Sequence, residues 1–368
     1  MIRVGIDARY GLRAQRRGIG TYVYHLLSEW ATTPPEDIEI TAFCDGRADP
    51  TIVRTFAAAP GRIAVTRVGG KPFPLWEQVA LPRAIPKARL DLFHATSNVA
   101  PATCPVPLVA TIFDTIEWHR GRDFPADLPA RLRLARRYRM FATLAAARRA
   151  RLVLTASAHA AASIEADLHV ASSKLRTTPL GAEKQVSPGR ADLRILEDNS
   201  LEPRGYALAF GAEDPRKGTG MLLGIWSATR MPLPLVVCGM EPTERPIPAG
   251  VHLLPFVPDG QMAALLNNAA MLLYPSAAEG FGLPVVDAMA AGVPVIAASG
   301  TAAEETAAGA ASTAPAGDAG AWAGAVTRLA GDAGLRGRLS KEGREAANRY
   351  SWSATAQLTL AAYREALL

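Results

Sequence analysis

The sequence predicts an α/β chain of two parallel-sheet domains. In each half, short apolar runs alternate with helical stretches, as strands do with the crossover helices that join them. The chain has 368 residues, which fits two domains better than one. Between the halves, residues 183–204 are polar and irregular, with Pro188, Gly189, Asn199, Ser200 and Pro203, and read as a linker. The expected organisation is a first domain at 1–182, the linker at 183–204, a second domain at 205–350 and a terminal helix at 351–368.

In the first half the apolar runs place strands at Ile2–Ile6, Ile38–Phe43, Ile63–Val68, Leu90–His94, Leu108–Phe113 and Leu152–Ala156. Helices are expected at Gly20–Trp30, Trp76–Ala84, Leu128–Ala147 and Ala158–Ala166. In the second half the strands are Ala207–Phe210, Leu235–Cys238, Val251–Leu254, Met271–Tyr274, Val295–Ala298 and Ala311–Ala314. Its helices are Gly220–Ala228, Asp259–Ala269 with Asp259 as the cap, Pro284–Ala291, Ala319–Leu329 and Leu335–Arg349. Two such sheets would face each other across a cleft at the carboxyl ends of their strands, where ligands of open α/β sheets bind.

Hydrophobic residues are 49% and charged residues 20%, a globular balance. The net charge of +6 favours anionic partners such as diphosphates or acidic lipid headgroups. Cys44, Cys104 and Cys238 are far apart and match no metal-ligand spacing, so they read as buried thiols in a reducing compartment. No basic-then-apolar leader precedes the strand at Ile2, and no apolar run is long enough to span a bilayer. The expected place is the cytoplasm. No Gly-x-Gly-x-x-Gly follows the first strand, which argues against a dinucleotide dehydrogenase.

The most informative stretch runs from Ser276 to Ile296. Glu279 precedes Gly280-Phe281-Gly282, and a second carboxylate, Asp287, follows eight positions on (287 − 279). The glycines let backbone N–H groups approach a ligand. Pro284 suits the first turn of a helix, and a helix starting at Leu283 aims its positive end at the turn. An anion held there would be flanked by two carboxylates able to accept hydrogen bonds from sugar hydroxyls. A plain loop-to-helix junction would carry the same spacing. Upstream, the strand Ala207–Phe210 feeds Gly211 and then Asp214-Pro215-Arg216-Lys217-Gly218. Adjacent Arg and Lys can grip a diphosphate, the first through a planar fork and the second as a compact charge. A solvated turn is the other reading of that pair.

These residues resemble the retaining, nucleotide-sugar-dependent glycosyltransferases of family 4, which have the GT-B fold of two Rossmann-like domains. The signature of that family is Glu, seven residues, then Glu; here the second acid is Asp287, one methylene shorter. The resemblance implies that Glu279 orients the donor sugar, that Asp287 meets the ribose, and that Arg216 and Lys217 grip the donor diphosphate. It implies contacts to the nucleotide from Gly211, Val257, Gly280, Phe281, Gly282 and Leu283, and a helix after Tyr350-Ser351-Trp352 that crosses back to the first domain. In the first domain, Gly18 and Gly20 match a glycine loop near the donor phosphates or the acceptor. Trp76-Glu77-Gln78 and the segment from Asp91 to Pro101 are similar to the mannosyltransferase-like branch that builds surface polysaccharides. That likeness puts Glu77, His94 and Asn98 on the acceptor side. For each residue taken alone, core packing is the commoner explanation: a Trp packed in the core and a strand ending in a satisfied His. Relatives carry His-Asp where this chain has Phe113-Asp114. Asp114 keeps its expected contact to a sugar hydroxyl, and either His94 or His119 takes over the missing one, or the donor sugar differs, or activity is reduced.

The implied reaction moves a sugar from a nucleoside diphosphate to a hydroxyl of a glycan or lipid-linked acceptor, keeping the anomeric configuration. GDP-mannose is the first donor choice and a UDP-sugar the second. No cofactor, metal or nucleic acid is expected. A nucleotide-sugar epimerase or phosphorylase, and a non-catalytic sugar-nucleotide-binding protein, stay open as alternatives. Finally, every charged residue from 129 to 151 is an arginine, with Leu134, Tyr138, Phe141 and Ala145 along one helical face. Such a helix suits an anionic membrane surface, held peripherally from the cytoplasmic side, or a solvated face over a core-packed stripe.

Overall fold

The computed structural model describes residues 1–61, 63–69, 73–120, 130–182, 188–241 and 246–368. The chain divides into two compact units, Met1–Gly181 with Ser351–Leu368, and Ala182–Tyr350.

The first unit is built on strands β1 (Ile2–Asp7), β2 (Ile38–Cys44), β3 (Ala64–Arg67), β4 (Leu92–Ala95), β5 (Leu108–Thr111), β6 (Leu152–Thr155) and β7 (Leu175–Thr177). They form one seven-stranded parallel sheet in the order β3-β2-β1-β4-β5-β6-β7. The second unit holds β8 (Ala207–Phe210), β9 (Leu235–Cys238), β10 (Val251–Leu254), β11 (Met271–Tyr274), β12 (Val295–Ala298) and β13 (Ser312–Ala314). Its six-stranded parallel sheet has the order β10-β9-β8-β11-β12-β13. Both are doubly wound, Rossmann-like sheets with a reversal of strand order, at β1/β4 in one and β8/β11 in the other. The inner strands β4, β5, β6, β9, β11 and β12 are buried at every position, which is why they read as unbroken apolar runs.

The terminal helix, Trp352–Glu365, packs into the first unit, as the resemblance implies. Its Trp352 stacks on His25 with ring centroids 4.4 Å apart. Thr355 donates to the carbonyl of Pro179 at 2.6 Å. The buried Tyr363 meets His94 of β4.

Two expectations are corrected. Within the segment 183–204 read as linker, residues Arg190–Asp198 form a helix. Ile195 and Leu196 bury into the core of the second unit, so the polar residues around them mark its exposed face; residues 183–187 lie outside the described ones. Asp259 is not the cap of its helix: Pro258 holds that position and Asp259 is the first helical residue. The structure also adds elements the apolar pattern does not announce, among them β7 and the helices Pro50–Ala58 and Ala302–Ala307. The three cysteines are free and buried, and burial pushes the Cys44 thiol up to about 11 and the Cys238 thiol up to about 12.

Candidate functional site

The carboxyl ends of β8 and β11 lie side by side at the strand reversal of the second sheet. Each strand runs into a loop that bears functional side chains. After β8 the chain passes Gly211 and forms a short 3-10 turn, Pro215–Lys217, capped by the Asp214 carboxylate on the Arg216 N–H. Gly218 then takes a left-handed conformation (φ 69°) and starts the helix Thr219–Ala228. After β11, Ser276 to Gly282 lead into the helix Leu283–Ala290, with Gly282 at φ 104° as its cap. The two loops are joined by a backbone bond, Ala277 N–H to Arg216 carbonyl, at 2.9 Å. They approach so closely that a Cβ on Gly218 would lie 2.9 Å from Pro275.

This junction gathers Arg216, Lys217 and Glu279. Glu279 Oε1 lies 3.0 Å from Arg216 Nη1 and 2.5 Å from Lys217 Nζ. The hydroxyl of Ser276 donates to the same oxygen at 2.5 Å, and Arg216 also donates to the carbonyl of Ala278 at 2.6 Å. Burial pushes the Glu279 carboxyl up, but the charges of Lys217 and Arg216 and the hydrogen bonds from Lys217 and Ser276 outweigh it and hold the group below its usual range. Glu279 is therefore a fixed anion between two cations. The Arg216 Nε is buried without a hydrogen-bond partner among the described residues and lies 3.6 Å from the Asp214 carboxylate. Lys217 also sits over the ring of Tyr274, 5.9 Å from its centroid. The sequence reading missed Ser276, although it stands at the head of the stretch that holds Glu279; its polarity at a strand end was the available signal.

The other sequence-predicted residues of this unit divide. Gly280 and Leu283 border the same helix start, and Asp287 is half-buried on that helix. The Phe281 ring packs inward, edge-on to Tyr350 at 5.4 Å, and its carbonyl accepts from Thr306 at 2.8 Å. Val257 buries its side chain in the core. Gly211 closes on Val237 and Met240, where a Cβ would meet each at 2.5 Å, so close packing accounts for that glycine.

In the first unit, Gly18 caps the helix Ile19–Thr32 at φ 47°. Gly20 is spoken for: its N–H bonds the Arg17 carbonyl at 2.9 Å, and a Cβ there would lie 2.9 Å from the carbonyl of Tyr10. Asp114, half-buried, accepts from the Ile116 N–H at 3.2 Å. The Phe113 ring stands edge-on to Tyr22 at 5.2 Å.

Of the three residues expected on the acceptor side, His94 and Glu77 are interior and Asn98 is half-buried. His94 is fully buried, with Nδ1 2.7 Å from the Tyr363 hydroxyl and Nε2 2.7 Å from the Thr111 hydroxyl. Burial pushes its imidazole down to about 3, so it is neutral, and it cannot replace the histidine missing at Phe113. Glu77 is also fully buried, in a π-helical turn, Trp76–Ala80. It pairs with Arg9 at 2.9 Å and accepts from the Tyr138 hydroxyl at 2.6 Å. Asn98 holds φ 64° and uses its side-chain oxygen on the Phe113 N–H at 2.7 Å. His119 ends the short helix Ile116–His119 and is half-buried, 2.9 Å from Asp167.

The arginine-rich segment forms the helix Ala130–Arg149. Its arginines are not all without acids, as the sequence suggested. Arg139 pairs with Glu117 at 2.6 Å, and Arg136 donates to the Glu117 carbonyl. Glu117 lies outside the stretch, which is why the local pattern hid it.

Residues 16–185 match the family described as Glycosyltransferase Family 4, and residues 205–332 match Glycosyl transferases group 1. The O-antigen chain mannosyltransferase B of Escherichia coli is 29% identical over 231 residues, 58% of this chain and 61% of that protein. The MMP alpha-(1->4)-mannosyltransferase of Mycolicibacterium hassiacum is 31% identical over 205 residues, 52% of this chain and 48% of that protein. The matches thus span about half to three-fifths of these relatives. Among solved structures, sucrose-phosphate synthase from Thermosynechococcus elongatus superposes with a TM-score of 0.76 at 20% identity, covering 99% of both chains. Anabaena HepE in complex with UDP-glucose gives 0.73 at 16% identity, covering 99% of this chain and 100% of that one. These likenesses give the fold as GT-B.

Proposed function

The chain belongs to the family 4 glycosyltransferases, and from that premise we propose that it moves a sugar from a nucleoside-diphosphate sugar to an acceptor hydroxyl with retention of the anomeric configuration. The observation that carries this reading is the junction of Arg216, Lys217 and Glu279 at the β8/β11 strand reversal. Two cations one residue apart meet the charge of a diphosphate, and the adjacent helix start adds N–H donors. As the sugar leaves, charge builds on the departing phosphate, and preorganised cations stabilise that charge without reorganising. Glu279, held ionised, would accept hydrogen bonds from donor hydroxyls through its remaining oxygen. Asp287, Gly280 and Leu283 would meet the nucleotide. The cationic pair takes the part a metal has elsewhere, so no metal is invoked. Asp114, Gly18 and Gly20 are proposed near the reacting groups.

Two of the curated relatives are named mannosyltransferases, which makes mannose the first sugar and GDP-mannose the first donor to try. A UDP-sugar is the second, since HepE was solved with UDP-glucose. A glycan or lipid-linked acceptor fits the O-antigen relative. A panel of sugar nucleotides screened for thermal stabilisation tests the reading, because a ligand that binds only the folded state raises the melting temperature. A flat response to every nucleoside-diphosphate sugar would reject it.

A further inference from the structure

The helix Ala130–Arg149 turns its small residues inward: Ala142, Thr143, Ala146 and Ala147 are its buried positions. The large apolar residues Leu134 and Phe141 point the other way, 70% and 59% exposed. They are seven positions apart and so share one helical face, with Arg137 and Arg148 among them and Arg133 at the border, all exposed. These three arginines form no ion pair among the described residues, whereas Arg136 and Arg139 on the inner side are tied to Glu117. A core-facing amphipathic helix would bury Leu134 and Phe141 and expose the alanines. This helix does the reverse, and the face has a charge of one sign.

We propose that the stripe Leu134–Arg137–Phe141–Arg148 docks on an anionic lipid surface, with the two apolar side chains entering the acyl boundary and the guanidinium groups on the headgroup phosphates. A second copy of the chain is a poor occupant, because a two-fold contact through this face would bring arginines against arginines. A bare polyanion would leave Leu134 and Phe141 without a role. The binding is peripheral, since among the described residues no helix is long and apolar enough to cross a membrane.

The test is vesicle flotation of the full chain, which needs no sugar donor and is thus separable from the transfer reading. The wild type is expected to float with vesicles of phosphatidylglycerol and phosphatidylcholine, far less with phosphatidylcholine alone, and to be released by high salt. Arg133→Glu with Arg137→Glu, and separately Leu134→Ser with Phe141→Ser, should each lower binding at least about tenfold. Circular dichroism melts should match the wild type, because all four side chains are exposed. Equal binding to both vesicle types, undiminished binding by either double variant, or a dimer in light scattering that either variant dissolves would overturn the proposal.

Discussion

Glu279 Oε1 sits 3.0 Å from Arg216 Nη1 and 2.5 Å from Lys217 Nζ, so one carboxylate oxygen is shared by two cations, of which Arg216 also pairs with Asp214 at 3.6 Å. The arrangement separates binding from turnover. Glu279→Ala takes the shared carboxylate away from both cations, leaving Arg216 with Asp214, and removes the group expected to orient the donor sugar. The variant should lose transfer while nucleoside-diphosphate stabilisation stays at least as large as in the wild type. Lys217→Ala should weaken the same ligand about tenfold or more, the value of a charge-assisted bond. Thermal shift and calorimetry read both. A Glu279→Ala protein that transfers at the normal rate would remove the site assignment.

Gly218 and Gly220 make a paired test of the loop that carries those cations. Gly218 has φ 69°, and a Cβ would lie 2.9 Å from Pro275, so Gly218→Ala should destabilise the second unit by about 1–3 kcal/mol and displace the Arg216 turn. Gly220 lies two residues on in the helix, with nothing within 4 Å of a Cβ. Gly220→Ala should be neutral or stabilise by about 0.5–1 kcal/mol. Melting curves of the two variants check the contrast. Equal losses would mean that helix propensity and loop approach do not distinguish these positions.

Chelation gives an independent check of the cationic pair. If Arg216 and Lys217 alone meet the leaving diphosphate, excess EDTA should leave transfer within about twofold of its untreated rate, while Lys217→Ala falls much further. Loss of activity on chelation, restored by added divalent ion, would assign part of that charge to a metal.

How far the sequence shows this architecture depends on burial. Strands covered on both faces, such as Met271–Tyr274 and Val295–Ala298, announce themselves as apolar runs because every position is interior. The edge strand Leu175–Thr177 is partly exposed and has one apolar residue, so no run marks it. The site follows the same logic. Arg216, Lys217 and Glu279 are legible because their chemistry lies in two short loops beside named strands. Their meeting at one oxygen is not legible, since it depends on β8 and β11 being neighbours, which only the topology supplies. His94, Glu77 and Asn98 show the converse: the sequence leaves core packing and a functional role both open for them, and only the fold reveals their partners, Thr111, Arg9 and the Phe113 N–H.

His94 predicts a pH dependence. Its imidazole is pushed down to about 3 from an ordinary 6.5, so the unfolded chain binds more protons between those values; the stabilisation is present above about 6.5 and is lost as pH falls towards 3. Asp7 opposes it. Burial lifts its carboxyl to about 6, against the pull of Arg9, so its contribution is full below 3.8 and lost as pH rises through 6. The His94 shift is the larger, so the wild type should lose stability on acidification from about pH 6.5 to 4.5. In His94→Gln the slope over that window should flatten or reverse. Denaturant titrations at several pH values measure it, and an unchanged slope in the variant would mean that another group sets the acid limit.

The last prediction concerns what holds the terminal helix to the first unit. Arg364 pairs with Asp37 and Arg176 pairs with Glu365, but these groups are exposed, and solvent screens them. Tyr363 is fully buried one residue away, with its hydroxyl 2.7 Å from His94 Nδ1. Tyr363→Phe keeps the ring and leaves a buried nitrogen without its partner, which should cost about 1–3 kcal/mol. Arg364→Ala should leave the melting temperature unchanged within error. The reverse order, with the surface arginine costing more than the buried hydroxyl, would show that the helix is anchored by its exposed ion pairs rather than by the contact that joins it to β4.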